Sequence, residues 1–291
     1  MQSDIQQLMA AMGSRREDGE RLLEALFQRD SAALLALIAE YISENPVDLA
    51  VKRIMKALLN DPGTWHAICD PGLPLEAALQ VIERFRSFEP LIEVRLAKWC
   101  LDYVESPGRE QNRVHRAMTL IQRTANGERI LPLIVQFLHS HESWLRSKAI
   151  MLFMRASKNW KAMAKHFGDA DFRVRANAIE MLWDKEEDPG LLRSVLLEAA
   201  GDSNNRVVGN ALLGLYRHGD TDLAAERLRA MAVHEKAEFR ATAAWVMGQT
   251  GEPGFTDILA RLSCDAEESV RTNADRALKL VGTLVGSAEV H

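Results

Sequence analysis

Aromatic residues are scarce in this 291-residue sequence: Phe, Trp and Tyr together make up 6%. Ala and Leu, which cost little in a helix, are abundant, so the composition points to closely packed helices rather than sheets. Cysteine is rarer still. Cys69, Cys100 and Cys264 are too few and too scattered for a disulfide framework or a zinc cluster. Three core-facing thiols suit a reducing cytosol, and a cytoplasmic location is expected. His66-x-x-Cys69 supplies half a metal motif with no second half downstream, so neither metal nor cofactor is expected. No run of 18 apolar residues exists to span a membrane. The opening MQSDIQQLMAAMGSRRE lacks the positive start and apolar core of a signal peptide. The phosphate-loop, dinucleotide, H-E-x-x-H and G-x-S-x-G patterns are absent.

Charge of one sign is also missing. The net charge is −5; residues 1–130 carry 16 Lys/Arg against 19 Asp/Glu, and the remainder 20 against 22. Neither half forms a basic arm or an acidic tail, which disfavours a nucleic-acid partner. What is present is the balance of a folded chain, with 47% hydrophobic and 26% charged residues.

Internal repetition decides the architecture. SHESWLRSKAIMLF, DADFRVRANAIEML, DSNNRVVGNALLGL, HEKAEFRATAAWVM and DAEESVRTNADRAL align on positions 146, 175, 208, 240 and 271, which stand 29, 33, 32 and 31 residues apart. A period near 31 is too long for one helix and its turn but suits a helical hairpin. Relative to each anchor, an apolar residue precedes it (Leu145, Val174, Val207, Phe239, Val270). Alanine follows three later (Ala149, Ala178, Ala211, Ala243, Ala274), and a large apolar residue seven later (Phe153, Leu182, Leu215, Met247, Leu278). These positions share one face, so each segment is an amphipathic helix whose central alanine lets a neighbour approach closely. Pro189 and Pro253 read as first-turn prolines of the companion helices. Gly201, Gly219 and Gly251 fall where helices should stop.

The D-x5-R-x2-A-A-x-A-L pattern over about residues 128–282 resembles the short HEAT repeats also found in phycobilisome-lyase-like proteins. The resemblance implies an all-α fold, a right-handed α-solenoid (an alpha-alpha superhelix) of HEAT-like helical hairpins. It further implies a ladder in which Asp and Arg link successive repeats. Asp169 with Arg175 and Asp265 with Arg271 match the pattern in full. Arg is lost at Val208, and Asp at Ser140 and His234, so the ladder should be interrupted and the array softer near 202–240.

The chain is read as an irregular helical part over 1–127, regular repeats over 128–282 and a flexible tail over 283–291, roughly seven helical pairs in all. Helices are expected near 3–12, 17–28, 31–43, 47–60, 74–87, 90–104 and 109–125. NDPGTWHAICDPGLP (60–74), with three prolines and two Asp-Pro-Gly turns, reads as a break or a long inter-repeat loop.

If the repeat helices line a concave face, positions +2, +5 and +9 form rows across it. The candidate binding residues from those rows are Met151, Asn177, Glu180, Asn210, Leu213, Arg217, Thr242, Trp245, Gln249 and Asn273. Apolar Met151, Leu213 and Trp245 rimmed by amides and charges fit a site for a protein or peptide. The Asn row could hold a peptide backbone, each amide offering donor and acceptor. Packing on neighbouring repeats is the competing account of both rows. The expected function is therefore a non-enzymatic scaffold with no catalytic residues. Three enzymatic alternatives compete with this reading. His141-Glu142 and His234-Glu235 are similar to the His-Glu pairs of deoxyhypusine hydroxylases, but precede the anchor instead of following it. Trp99, Asp102, Trp144, Arg146 and Lys148 offer the residue types of AlkD-like DNA glycosylases. A pigment-lyase role is implied by the repeat resemblance alone.

Overall fold

A computed structural model describes residues 2–44, 48–124, 128–157 and 159–288. Among them every regular element is helical and no strand occurs. The chain divides into two compact units, residues 1–137 and 138–291.

The first unit contains α1 (Gln2–Ser14), α2 (Arg16–Arg29), α3 (Ser31–Glu44), α4 (Leu49–Asn60), α5 (Pro62–Ile68), α6 (Leu75–Phe85), α7 (Ile92–Val104), α8 (Gln111–Thr124) and α9 (Leu131–Phe137). The segment expected to be a break or loop at 60–74 holds α5. Asp61 accepts a hydrogen bond from the Gly63 N–H at 2.9 Å, and Pro62 occupies the first turn, where its missing N–H costs nothing. The burial of Trp65, Ile68 and Cys69 then anchors this turn in the core. Two arginines tie distant helix ends by donating to carbonyls that helix geometry leaves unpaired: Arg53 to Met12 at 2.6 Å and Arg86 to Thr124 at 2.8 Å.

The second unit contains α10 (Ser143–Ala156), a 3-10 turn (Trp160–His166), α11 (Phe172–Glu180), α12 (Pro189–Ala199), α13 (Asn205–Arg217), α14 (Thr221–Met231), α15 (Ala237–Thr250), α16 (Thr256–Leu262) and α17 (Glu268–Ala288). The five repeat segments are α10, α11, α13, α15 and α17, and each packs against the next in chain order. The 3-10 turn, α12, α14 and α16 pack on α11, α13, α15 and α17 respectively. Cross-helix bonds join residues separated by about one period, such as Asn177 to Ser147 and Asn273 to Ala241. Successive repeat helices therefore run parallel in register. The central alanines at 149, 178, 211, 243 and 274 are all fully buried.

Several local expectations need correction. Pro253 opens a 3-10 turn (Pro253–Phe255) ahead of α16 rather than the α-helix itself. Cys264 is exposed, because it lies in the turn beyond Leu259 and Leu262, the residues with which α16 meets the core. The span assigned to the tail continues α17 as far as Ala288, and residues 289–291 lie outside the described residues.

The Arg–Asp ladder has a different wiring from a pairing within each repeat. Arg146 grips Asp169 of the next repeat with two bonds of 2.9 and 2.8 Å, Arg175 grips Asp202 at 2.7 and 2.9 Å, and Arg240 grips Asp265 at 2.7 and 2.8 Å. The third nitrogen of each guanidinium donates backward to carbonyls of its own loop: Ser140 and His141, Asp169 and Ala170, His234 and Glu235. Those acceptors are backbone, so Ser140 and His234 serve without a carboxylate. Both side chains also keep the turn-forming role of the aspartates: Asp169, Asp202 and Asp265 accept the N–H two residues on, as Ser140 does from Glu142 and His234 from Lys236. Between 11% and 18% of each side chain in the three pairs is exposed, which separates them from ordinary surface ion pairs.

The losses at Val208 and His234 are the two ends of one rung. A residue at 208 would reach forward to 234, just as 146 reaches 169 and 175 reaches 202. Removing both charges together leaves neither buried alone, so the gap is a matched deletion and not two separate defects. Nor is the backbone link absent there. Asn205 donates to the Glu238 carbonyl at 3.1 Å and to the Thr242 hydroxyl at 2.7 Å, joining α13 to α15.

Close helix approach is specified by glycine as well as alanine. A Cβ on Gly248 would lie 2.7 Å from the Ala277 Cβ and 2.9 Å from its Cα, backbone that cannot swing aside. Gly248→Ala should therefore destabilise the protein by about 1–3 kcal/mol through overpacking, although alanine is the better helix former. Chemical denaturation measures it, and a stabilised variant refutes the packing account. Restoring the absent rung gives a second test. Val208→Arg alone should cost on the order of 2 kcal/mol, whereas adding His234→Asp should recover most of it. A double-mutant cycle should give a favourable coupling above about 1 kcal/mol, and additivity would contradict the wiring. A third concerns pH. The Arg240 guanidinium and the Glu267 N–H hold the Asp265 carboxyl down to about 2. Its stabilising contribution is complete above the unfolded-state value near 3.9 and is lost as pH falls through the folded value. The stability difference between wild type and Asp265→Asn should hence shrink from pH 5 to pH 2; a constant difference rules the ion pair out as its source.

Candidate functional site

The rows drawn from helical phase divide once the repeats are stacked. In the +2 row, Asn177 and Asn210 are buried, 7% and 3% exposed. Their amide nitrogens bind across the repeat boundary, Asn177 to the Ser147 hydroxyl at 2.7 Å and Asn210 to the Ala176 carbonyl at 2.9 Å; Asn273 reaches the Ala241 carbonyl at 3.0 Å. The expectation that each amide offers both donor and acceptor to a ligand is corrected: the donors hold the stack together. Burial forces this, since an amide N–H without a partner there would be costly.

The +5 row divides too. Leu213 is fully buried and cannot form part of an open surface, while Met151 is half-buried and Trp245 is 37% exposed. The reason lies in α13, whose residues 207–215 are all buried. Gly209 and Gly214 on this helix lie so close to the Thr242 side chain and to Leu196 and Trp183 that neighbours close over it. In the +9 row Arg217 and Gln249 are exposed.

A groove of about 410 Å3 does form around part of this set. Its lining comprises Glu180, Asn210, Thr242, Trp245 and Asn273 from the expected residues, together with Trp183, Asn205 and Arg206. Met151, Asn177, Leu213, Arg217 and Gln249 stay outside the lining. Trp183 stands beside Trp245 with ring centroids 6.4 Å apart and planes inclined by 34°. Its indole N–H donates to the Asn210 carbonyl at 2.8 Å, which orients the ring, and the Arg217 guanidinium covers one face at 4.7 Å. Arg206 donates to the Asn177 amide oxygen at 2.6 Å and lies 3.5 Å from the Glu180 carboxylate. Arg217 has Asp184 at 3.6 Å. Trp183 (+8), Arg206 (−2) and Asn205 (−3) sit outside the rows; tracing the first turn of each repeat helix as well as its centre would have found the last two.

Other chemistry weighed from sequence takes structural places. His66 has its Nδ1 against the Pro62 carbonyl at 2.9 Å and its ring edge-on to Trp99 and Tyr103. Burial pushes the Cys69 thiol far up and the Cys100 thiol to about 12, so neither is a nucleophile near neutrality. His234 stacks on Phe239 at 4.3 Å and caps its own turn, and Glu142 accepts from the Trp144 indole. Of the glycosylase-like set, Trp99 is buried and Arg146 is engaged in the ladder. No helix among the described residues is long and apolar enough to cross a membrane.

Openings of about 490 and 590 Å3 in the first unit are larger, so volume does not single out the tryptophan groove; its aromatic faces beside a buried amide, Asn210, do. Comparison of the chain with models of protein families and with curated proteins finds no match in either.

Proposed function

We propose that the second unit is a non-enzymatic recognition module, a right-handed α-solenoid of HEAT-like hairpins that holds a segment of a protein partner in the groove between Trp183 and Trp245. The reading rests above all on one observation: a tryptophan 37% exposed beside a second, in a groove floored by a buried amide. Large rigid rings give contact area at little entropic cost, which is why tryptophan and arginine anchor so many protein interfaces. Arg206, which lines the groove, and Arg217 over Trp183 already face carboxylates, Glu180 and Asp184, so the site has no excess positive charge for a phosphate backbone. The buried thiols of Cys69 and Cys100 fit a reducing compartment, and we place the protein in the cytoplasm.

The test is selection from a random peptide library on the immobilised full-length chain, followed by affinity measurement against Trp245→Ala. Leu213 is left intact, because truncating a fully buried leucine would unfold part of the unit by about 2–5 kcal/mol and confound the result. Selected peptides should bind Trp245→Ala at least about tenfold more weakly, with its melting curve unchanged. Peptides that bind both proteins equally well would place recognition elsewhere.

A further inference from the structure

The geometry points to an arginine side chain as the part of the partner that enters the tryptophan groove. This rests on the peptide reading and adds the chemistry of the bound group. Asn205 has both amide hydrogens engaged, on the Glu238 carbonyl and the Thr242 hydroxyl, and Asn210 directs its own to the Ala176 carbonyl and toward Glu180. Asn273 donates to the Ala241 carbonyl. Because backbone carbonyls accept these bonds, the orientation of each amide is settled: nitrogen toward the neighbouring helix, oxygen left over. Among the described residues, none of the three oxygens accepts a hydrogen bond. Asn210 is 3% exposed and lines the groove.

Three amides whose nitrogens are committed to the stack, and the Glu180 carboxylate, line the same groove as the Trp245 ring. Acceptors in that number call for a ligand rich in N–H, and an aromatic face beside a carboxylate favours a cationic one. A guanidinium satisfies both: it is planar, stacks on indole, and spreads five donors in its plane, whereas an ammonium places three on a single atom. The same ring pair already accepts one guanidinium, Arg217 over Trp183, leaving Trp245 for another. A volume of about 410 Å3 suits one or two side chains rather than a whole strand. The charge that opposes entry is Arg206. Its short bond is to Asn177 at 2.6 Å, and it approaches Glu180 only to 3.5 Å, so the carboxylate retains room for a second cation.

The test titrates acetyl-Gly-X-Gly-amide, with X as Arg, Lys, Leu or Glu, into the full-length chain while following the indole N–H signals of Trp183 and Trp245 by NMR. Arg should shift both signals and bind most tightly. Glu180→Gln should weaken that binding about tenfold through loss of the charge-assisted bond, and Arg206→Gln should strengthen it several-fold by removing the competing cation. These opposite signs separate recognition from damage to the fold, which would weaken both. Leu or Glu binding as well as Arg, or Arg206→Gln weakening the arginine peptide, overturns the inference. If library peptides depend on Trp245 but carry no arginine, the inference fails while the groove reading stands. If they do not depend on Trp245, that reading falls and this one with it.

Discussion

The guanidinium at the anchor position is the joint on which the second unit depends. One face of it clamps the loop that precedes its own helix through two carbonyls; the other holds the aspartate that opens the next repeat. A single side chain thus fixes where a helix starts and how far the following one is displaced. Because Arg146, Arg175 and Arg240 do this with nearly the same geometry, neighbouring helices inherit a common register. Alanine and glycine then bring the helices close enough for side chains one period apart to bond. The groove follows from both conditions: Trp183, Asn210, Thr242 and Asn273 come from four consecutive layers and meet only when the layers are in step.

The rung absent between 208 and 234 falls within the layers that build this groove. There the polar connection moves from the loop side to the first turn of α13, where Asn205 reaches α15. Displacing the tie commits both N–H groups of the Asn205 amide to the protein. If the groove takes a group rich in N–H, as we propose, that preference is a by-product of how the stack is joined at the place where its usual joint is missing.

Much of this was legible in the sequence. The buried stripe at −1, +3 and +7, the positions of the longer helices in the first unit and the stacking of five like segments follow from periodicity, because one helix face must leave water whatever surrounds it; α5, set among the Asp-Pro-Gly turns of 60–74, does not. The ladder was legible only as a pattern of residue types. Which Arg meets which Asp depends on the displacement between layers, which no spacing within one repeat reveals. The site was half legible. Helical phase located Glu180, Asn210, Thr242, Trp245 and Asn273, but phase treats a helix as having one neighbour. Leu213 and Asn177 vanish into contacts with a second neighbour. Trp183 emerges because Asn210 turns its indole toward the opening.

The paired absence at 208 and 234 also bears on the order in which such an array can change, one residue at a time. An aspartate that loses its arginine keeps a use, since it still accepts the N–H two residues ahead, as Ser140 and His234 do without any charge. An arginine that loses its aspartate inside the stack keeps its two carbonyls but strands a positive charge away from water. The cheaper path gives up the cation first and the carboxylate afterwards. Interior layers with Asp but no matching Arg are accordingly stable way-stations, and the reverse pattern is seen where, among the described residues, no further layer follows: there Arg271 holds the carbonyls of Asp265 and Ala266.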